Sequence, residues 1–223
     1  ERALLLTAHP DDETFFFSPT LTALSRMQKV GKLGDIVIVC LSTGNAKGLG
    51  DVRREEFEKA LDVFGIGVGR RLILDHPDLR DSKSVAWDPA TIAGEVLPIV
   101  KEYRITTILT FDTYGITGHP NHQSALAGAA HIVFKDWPLL STNTRPRLFT
   151  LFSQSTSFKY IGPLAASSLQ LYPYVKGPVF IASFVDYVTA LCAMIQHPSQ
   201  LHLLGFSKGL FSRYLWVNEW IEV

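Results

Sequence analysis

Short apolar runs rich in β-branched residues alternate with helix-forming stretches along the first two thirds of this chain, and that alternation constrains the fold more than any other feature. The runs are Ala3–Ala8 (ALLLTA), Asp35–Leu41 (DIVIVCL), Leu72–Leu74 and Thr107–Phe111 (TILTF). Strands that are continuously apolar, rather than alternating, belong to parallel sheets covered on both faces. The segments between them carry helix start and stop signals. Ser18-Pro19 precedes a helix over Thr20–Val30, and Asp51 precedes one over Arg53–Phe64 that ends at Gly65. Asp88-Pro89 opens a third reaching Tyr103, and a fourth fits His122–Phe134. Right-handed crossovers then dictate an α/β fold: a Rossmann-like, doubly wound, mostly parallel sheet of order 3-2-1-4-5 with helices on both faces. After Trp137 the pattern blurs. Leu148–Phe152 and Leu169–Leu171 read as strands, and Ser183–Gln196 reads as a helix. With no internal repeat and no long linker, the prediction is one domain over residues 1–223 with an elaborated C-terminal third.

Composition narrows the class. Hydrophobic residues at 47% support a large core and exclude general disorder. Lys plus Arg (21) balances Asp plus Glu (21), which removes the basic field of a nucleic-acid binder. The mean hydropathy is +0.15, yet no run of about 20 uncharged apolar residues exists. The nearest, Val179–Ile195, carries Asp186 at its centre and reads as a buried strand followed by a helix. Cys40 and Cys192 lie in apolar stretches, which suits a reducing compartment without a disulfide framework. The chain opens on Glu1-Arg2 and enters an apolar run at once, so further sequence is expected upstream.

The chemistry concentrates in two places. The first strand runs into His9-Pro10-Asp11-Asp12-Glu13, and the fourth leads through a glycine-containing loop to His119-Pro120-Asn121-His122. Strands one and four are neighbours in the expected order and their helices lie on opposite faces. Both clusters therefore emerge at the topological switch point, where open α/β sheets bind ligands. Two histidines and a carboxylate around an open crevice suit Zn²⁺ with one position left for water, and His9, Asp12 and His122 are the best trio. That leaves Asp11 as general base, with His119 free to stabilise an oxyanion or protonate a leaving group. The implied chemistry is metal-assisted hydrolysis of a carbonyl compound.

The pair AHPDDE and HPNH resembles the LmbE-like, or PIG-L, family of zinc-dependent N-acetylglucosaminyl deacetylases. Leu41-Ser42-Thr43-Gly44-Asn45, Arg53 with Glu56, Phe64-Gly65, Thr110-Phe111-Asp112 and Gln196-His197-x-Ser199-Gln200 resemble its eukaryotic branch. The resemblance implies Zn²⁺ at His9, Asp12 and His122, with Asp11 as base and His119 as second catalytic residue. It further implies a metal-dependent amidohydrolase that removes acetyl from a glycolipid, N-acetylglucosaminylphosphatidylinositol, in GPI-anchor synthesis. Members of that branch are held at the endoplasmic reticulum by an N-terminal span, with the catalytic domain facing the cytosol. Bacterial relatives usually carry an acid where this chain has Asn121; a carboxylate there could orient His119 and favour its imidazolium, whereas an amide can only orient it.

Lesser candidates complete the reading. Arg53 is either a guanidinium clamp for substrate phosphate or sugar hydroxyls, as the resemblance suggests, or a solvated first-turn residue. Asp78, in the loop after the third strand, is placed to bind sugar or inositol hydroxyls, although turn-forming aspartates are common. The glycines of Thr43–Gly50 lack GxGxxG spacing and serve loop geometry, which weakens the competing reading as a non-enzymatic nucleotide-binding module. A soluble deacetylase of a small GlcNAc conjugate is the alternative within the same chemistry. His197 matches a family position without an assignable role, and His76, His131 and His202 read as structural or exposed. From Leu201 the chain places Leu203, Leu204, Phe206, Leu210, Phe211, Leu215, Trp216, Trp220 and Ile221 around Lys208 and Arg213. Such a segment suits either contact with a membrane surface or a C-terminal helix packed on the sheet.

Overall fold

The computed structural model describes residues 1–139, 144–171, 177–204 and 209–223. In chain order the elements are β1 (Arg2–Thr7), α1 (Asp12–Phe15), α2 (Ser18–Lys29), β2 (Asp35–Cys40), α3 (Gly50–Phe64), β3 (Arg71–Ile73) and α4 (Pro89–Glu102). They continue with β4 (Thr107–Phe111), α5 (Gly115–Gly118), α6 (Pro120–Ala130), β5 (Arg147–Leu151), α7 (Thr156–Lys159), α8 (Leu164–Leu171), β6 (Val179–Ile181), α9 (Phe184–Met194), α10 (Pro198–Leu204) and β7 (Val217–Glu222). The sheet order is β3-β2-β1-β4-β5-β7-β6. β1 to β5 run parallel, and β7 pairs antiparallel with both β5 and β6. The expected 3-2-1-4-5 core is therefore present, with two strands added at one edge.

The apolar runs form strands because both of their faces are covered. Leu4, Leu5 and Leu6 in β1 and Val37, Ile38 and Val39 in β2 are buried without alternation. Each such side chain contributes on the order of 1.5–3 kcal/mol by leaving water. Helix ends follow the local signals in part. The Asp88 carboxylate accepts the Thr91 N–H at 2.9 Å, and Gly65 closes α3 at φ 72. Asp51 lies inside the first turn of α3 and makes no cap bond.

The C-terminal third departs from several expectations. Leu169–Leu171 is the end of helix α8, not a strand. Val179–Ile181 is a strand as expected, but it forms the sheet edge and is exposed rather than buried. Asp186 is accounted for by a capping box with Ser183, and it also pairs with Arg26 of α2. Cys40 is buried and Cys192 exposed.

From Val217 the chain end is a strand of the sheet, neither a helix packed on it nor a segment lying at a membrane surface. β7 inserts between β5 and β6, and Trp220 is fully buried. Trp220 Nε1 donates to Thr20 Oγ1 at 3.0 Å, and Asn218 Oδ1 accepts from the Thr20 N–H and hydroxyl. Leu215 is buried, and Arg213 is buried in an ion pair with Glu219 at 2.6 Å, so neither faces a membrane. Leu203, Leu204, Phe206 and Lys208 carry no described side chains, nor does His202.

Apolar exposure lies elsewhere in this third. Phe184 and Val185 of α9 are each 71% exposed, Leu164 of α8 67% and Phe211 59%. Tyr187 of α9 donates to the Leu210 carbonyl at 3.1 Å, and the Gly162 N–H donates to the Phe211 carbonyl at 3.0 Å, so these residues lie on adjoining segments. Among the described residues no helix is long and apolar enough to cross a membrane.

Candidate active site

The loops leaving β1 and β4 meet at the carboxyl edge of the sheet, because those strands are direct neighbours. They enclose a cavity of about 470 Å³ lined by His9, Asp11, Asp12, Arg53, Asp81, His119 and His122, with Phe15, Phe16 and Leu49 on its apolar side. Six of the seven residues named from the sequence are therefore brought together. Asp78 is not among them. Its side chain points to solvent beside His76, whereas Asp81, three residues on, faces the cavity.

His9 and His122 are held in defined tautomers. His9 Nε2 donates to Asn121 Oδ1 at 3.1 Å and lies 3.3 Å from Asp81 Oδ1. Its Nδ1 is left facing Asp12 at 3.7 Å. His122 Nδ1 donates to the Gly115 carbonyl at 2.9 Å, leaving Nε2 3.1 Å from Asp12 Oδ1. The His122 ring stacks on Phe111 at 4.1 Å between centroids. Gly115 must be glycine: its φ is 57, and a Cβ would lie 2.8 Å from the Cβ of His122. Asp112 fixes that loop, accepting the N–H groups of Tyr114 and Gly115 on Oδ1 and that of Ser153 on Oδ2.

Asp12 is an ionised carboxylate. Burial opposes its charge, but the imidazoles of His122 and His9 outweigh that and hold its pKa well below the usual carboxylate range. The backbone N–H groups of Ala8 and His9 bind Oδ2 at 3.0 and 2.8 Å, so Oδ1 is the oxygen left for another partner. Asp11 has the opposite environment. Burial pushes its pKa up to about 6 against the pull of Arg53, whose Nη2 lies 3.3 Å from Oδ1. Its backbone sits at φ 123, a conformation that costs a non-glycine residue about 1–3 kcal/mol.

His119 caps α6 and differs from the other two histidines. Its Nδ1 accepts the Asn121 N–H at 3.2 Å, which leaves the ring proton on Nε2, 3.9 Å from Asp81. Burial, with the nearby His9 and His122, lowers its pKa to about 4. The expectation that the Asn121 side chain orients His119 is not met. That amide instead holds His9 and donates to the Val85 carbonyl, and only its backbone touches His119.

Arg53 is buried rather than solvated. Its guanidinium donates to the carbonyls of Gly44 (2.9 Å) and Pro10 (2.6 Å) and stands 3.5 Å from Asp81. Asp81 thus links His9, Arg53 and His119; burial opposes its charge, but the hydrogen bond from His9 and the nearby Arg53 outweigh it and lower its pKa.

Metal fit follows from the donors. The Asp12 carboxylate is flanked by His9 Nδ1, 3.7 Å from Oδ2, and by His122 Nε2, 3.1 Å from Oδ1, two imidazoles and a carboxylate of the kind that hold Zn²⁺. Each ring gives its other nitrogen to an oxygen acceptor, the arrangement that orients a metal-bound histidine. His9, His119 and His122 also group within 4.8 Å as a set that could hold a metal. His119 fits that set less well, because Nδ1 already accepts a hydrogen bond and Nε2 carries the proton.

Residues 4–133 match the family model PIG-L, described as GlcNAc-PI de-N-acetylase. N-acetylglucosaminyl-phosphatidylinositol de-N-acetylase of Bos taurus is 34% identical over 218 residues, covering 97% of this chain and 81% of that protein. A probable enzyme of the same name from Schizosaccharomyces pombe is 36% identical over 164 residues, 74% of this chain and 62% of the relative. Teicoplanin deacetylase Orf2 superposes over all of this chain and 99% of its own, with a TM-score of 0.65 at 12% identity, a likeness of fold. N,N'-diacetylchitobiose deacetylase from Pyrococcus horikoshii does so at the same TM-score and identity, covering all of this chain and 83% of its own. Fold and site together define an α/β N-deacetylase. More particularly, the chain belongs to the PIG-L family.

Proposed function

We propose that this domain hydrolyses the acetamide of N-acetylglucosaminylphosphatidylinositol, releasing acetate and the free sugar amine, with Zn²⁺ held by His9, Asp12 and His122. The observation that carries the reading is the convergence of Asp11, His119 and these three donors on one cavity at the β1–β4 edge. When bound, the metal supplies a Lewis acid for water and for the acetyl carbonyl. Asp11, buried and with its pKa lifted to about 6, accepts the proton of the attacking water and passes it to the departing amine. His119, neutral and protonated on Nε2, donates a hydrogen bond where negative charge grows on the carbonyl oxygen. A neutral donor is enough for this role, so an acid at position 121 is not required.

Arg53 fixes the Asp11 carboxylate and lines the cavity, where a guanidinium can bind sugar hydroxyls. Asp81 takes the hydroxyl-binding role that the sequence suggests for Asp78, because of these two loop acids it is the one that lines the cavity. Lys47 and Lys83 line the same cavity and are exposed, which suits the phosphodiester of the lipid. The domain then works at the cytosolic face of the endoplasmic reticulum membrane, with the exposed apolar residues of α8, α9 and Phe211 toward lipid. Acetate release from N-acetylglucosaminylphosphatidylinositol, compared with a water-soluble GlcNAc conjugate, tests the reading, alongside metal analysis of the purified protein. Turnover of the soluble conjugate alone would replace the lipid substrate with a small one, and a metal-free protein inactive on both would remove the hydrolase reading.

A further inference from the structure

The reaction outlined above makes no use of His197, although the fold buries it completely. Its Nε2 lies 2.6 Å from Glu13 Oε1, in an ion pair with neither side chain open to solvent. Glu13 takes the Thr14 hydroxyl on the same oxygen and gives Oε2 to the backbone N–H of Asp11 at 2.9 Å. Asp11 is the residue at φ 123, a conformation that persists only where the surroundings fix it. The segment around His197 is itself anchored. The N–H and hydroxyl of Ser199 both donate to the Glu56 carboxylate, at 2.9 and 2.6 Å, one turn of α3 beyond Arg53. Gln200 follows and forms part of the cavity wall. A buried ion pair is weak evidence for stability, since apolar replacements of both partners are often neutral. What this pair supplies is a fixed acceptor for the amide of a strained residue.

We infer that His197 is a positioning residue for deacetylation: through Glu13 it holds the Asp11 backbone in the conformation that turns the Asp11 carboxylate into the cavity beside Arg53. The inference rests on the assignment of Asp11 as the base. The His197 side chain does not line the cavity, so its replacement disturbs alignment rather than affinity. Misalignment of a reacting group lowers kcat and leaves KM nearly unchanged.

His197→Gln and His197→Asn separate this role from a merely structural one. The glutamine amide reaches the place of Nε2 and still donates to Glu13. The asparagine amide reaches only the place of Nδ1, which has no partner among the described residues. His197→Gln is expected to keep kcat within about threefold of the parent, while His197→Asn loses about ten- to a hundredfold with KM within about twofold. The second readout is amide hydrogen exchange in the metal-free protein: the peptide spanning Asp11 should exchange faster in His197→Asn and at the parent rate in His197→Gln. Glu13→Asp keeps the charge but withdraws the carboxylate from the Asp11 amide. It should reproduce both changes, and it decides the matter if His197→Asn does not fold. Equal kcat and equal exchange across these variants overturn the inference, as does a rise in KM with kcat unchanged. A parent protein that releases no acetate would instead overturn the proposed reaction, and the exchange comparison would still report whether His197 holds the Asp11 backbone.

Discussion

Asp11 and Asp12 are adjacent in sequence, yet the fold gives them opposite electrostatic surroundings. Asp12 is ringed by imidazoles and backbone N–H groups and stays charged, while Asp11 is buried with one guanidinium and is the more basic of the two. That division separates metal holding from proton transfer and makes them testable apart. Asp11→Asn should retain the metal and lose about 10²–10⁴-fold in turnover, the usual worth of a general base. His122→Ala should lose both metal and activity. His119→Ala should lower turnover with metal content intact, because its Nδ1 is already committed to the Asn121 amide. Loss of metal in that variant would move the ligand set to His9, His119 and His122. The pair Asp78 and Asp81 shows where residue-level reading ran short. Both lie in one loop after β3, and sequence alone offers no period by which to tell which acid turns inward. The ion pairs of Asp81 with His9 and Arg53 decide it, and those partners are far away in sequence. Asp81→Asn should therefore reduce kcat/KM by at least about tenfold, as loss of a charge-assisted contact does, while Asp78→Asn stays near the parent value.

Elements whose burial is symmetric were legible, and those whose burial depends on distant partners were not. β1, β2 and β4 carry unbroken apolar runs at their centres because helices cover both faces, so their pattern declares itself. The short stretch Leu169–Leu171 offers too few residues to separate the two periods, and in the structure it completes helix α8. β7 was hidden for a different reason. Its aromatic and apolar residues look interfacial until β5, β6 and α2 surround them. Trp220→Ala should accordingly cost about 3–5 kcal/mol, with activity falling as the protein unfolds. Phe211→Glu alters an exposed site and should change stability by no more than about 0.5 kcal/mol. Chemical denaturation of the two variants, run beside the parent, checks both expectations.

At the scale of the whole molecule, charge and shape point to apolar rather than electrostatic contact with a bilayer. Formal net charge is zero, so no long-range attraction to anionic lipid is available from the domain as a whole. The C-terminal third nonetheless leaves Phe184, Val185, Leu164 and Phe211 in water on adjoining segments, where nothing in the fold itself requires them. Large apolar side chains grouped in this way commonly mark a contact surface. If lipid is what they meet, Phe184→Glu combined with Phe211→Glu should weaken binding to neutral phosphatidylcholine vesicles and slow turnover of the glycolipid. Activity on a water-soluble GlcNAc conjugate and the melting temperature should stay at parent values, because neither residue contributes to the core or lines the cavity. Vesicle binding by the parent should also change little between low and physiological salt, since screening acts on charge and not on apolar insertion. Equal loss of both activities, or binding that collapses with added salt, would reject apolar docking and return the lipid contact to Lys47 and Lys83 at the cavity mouth.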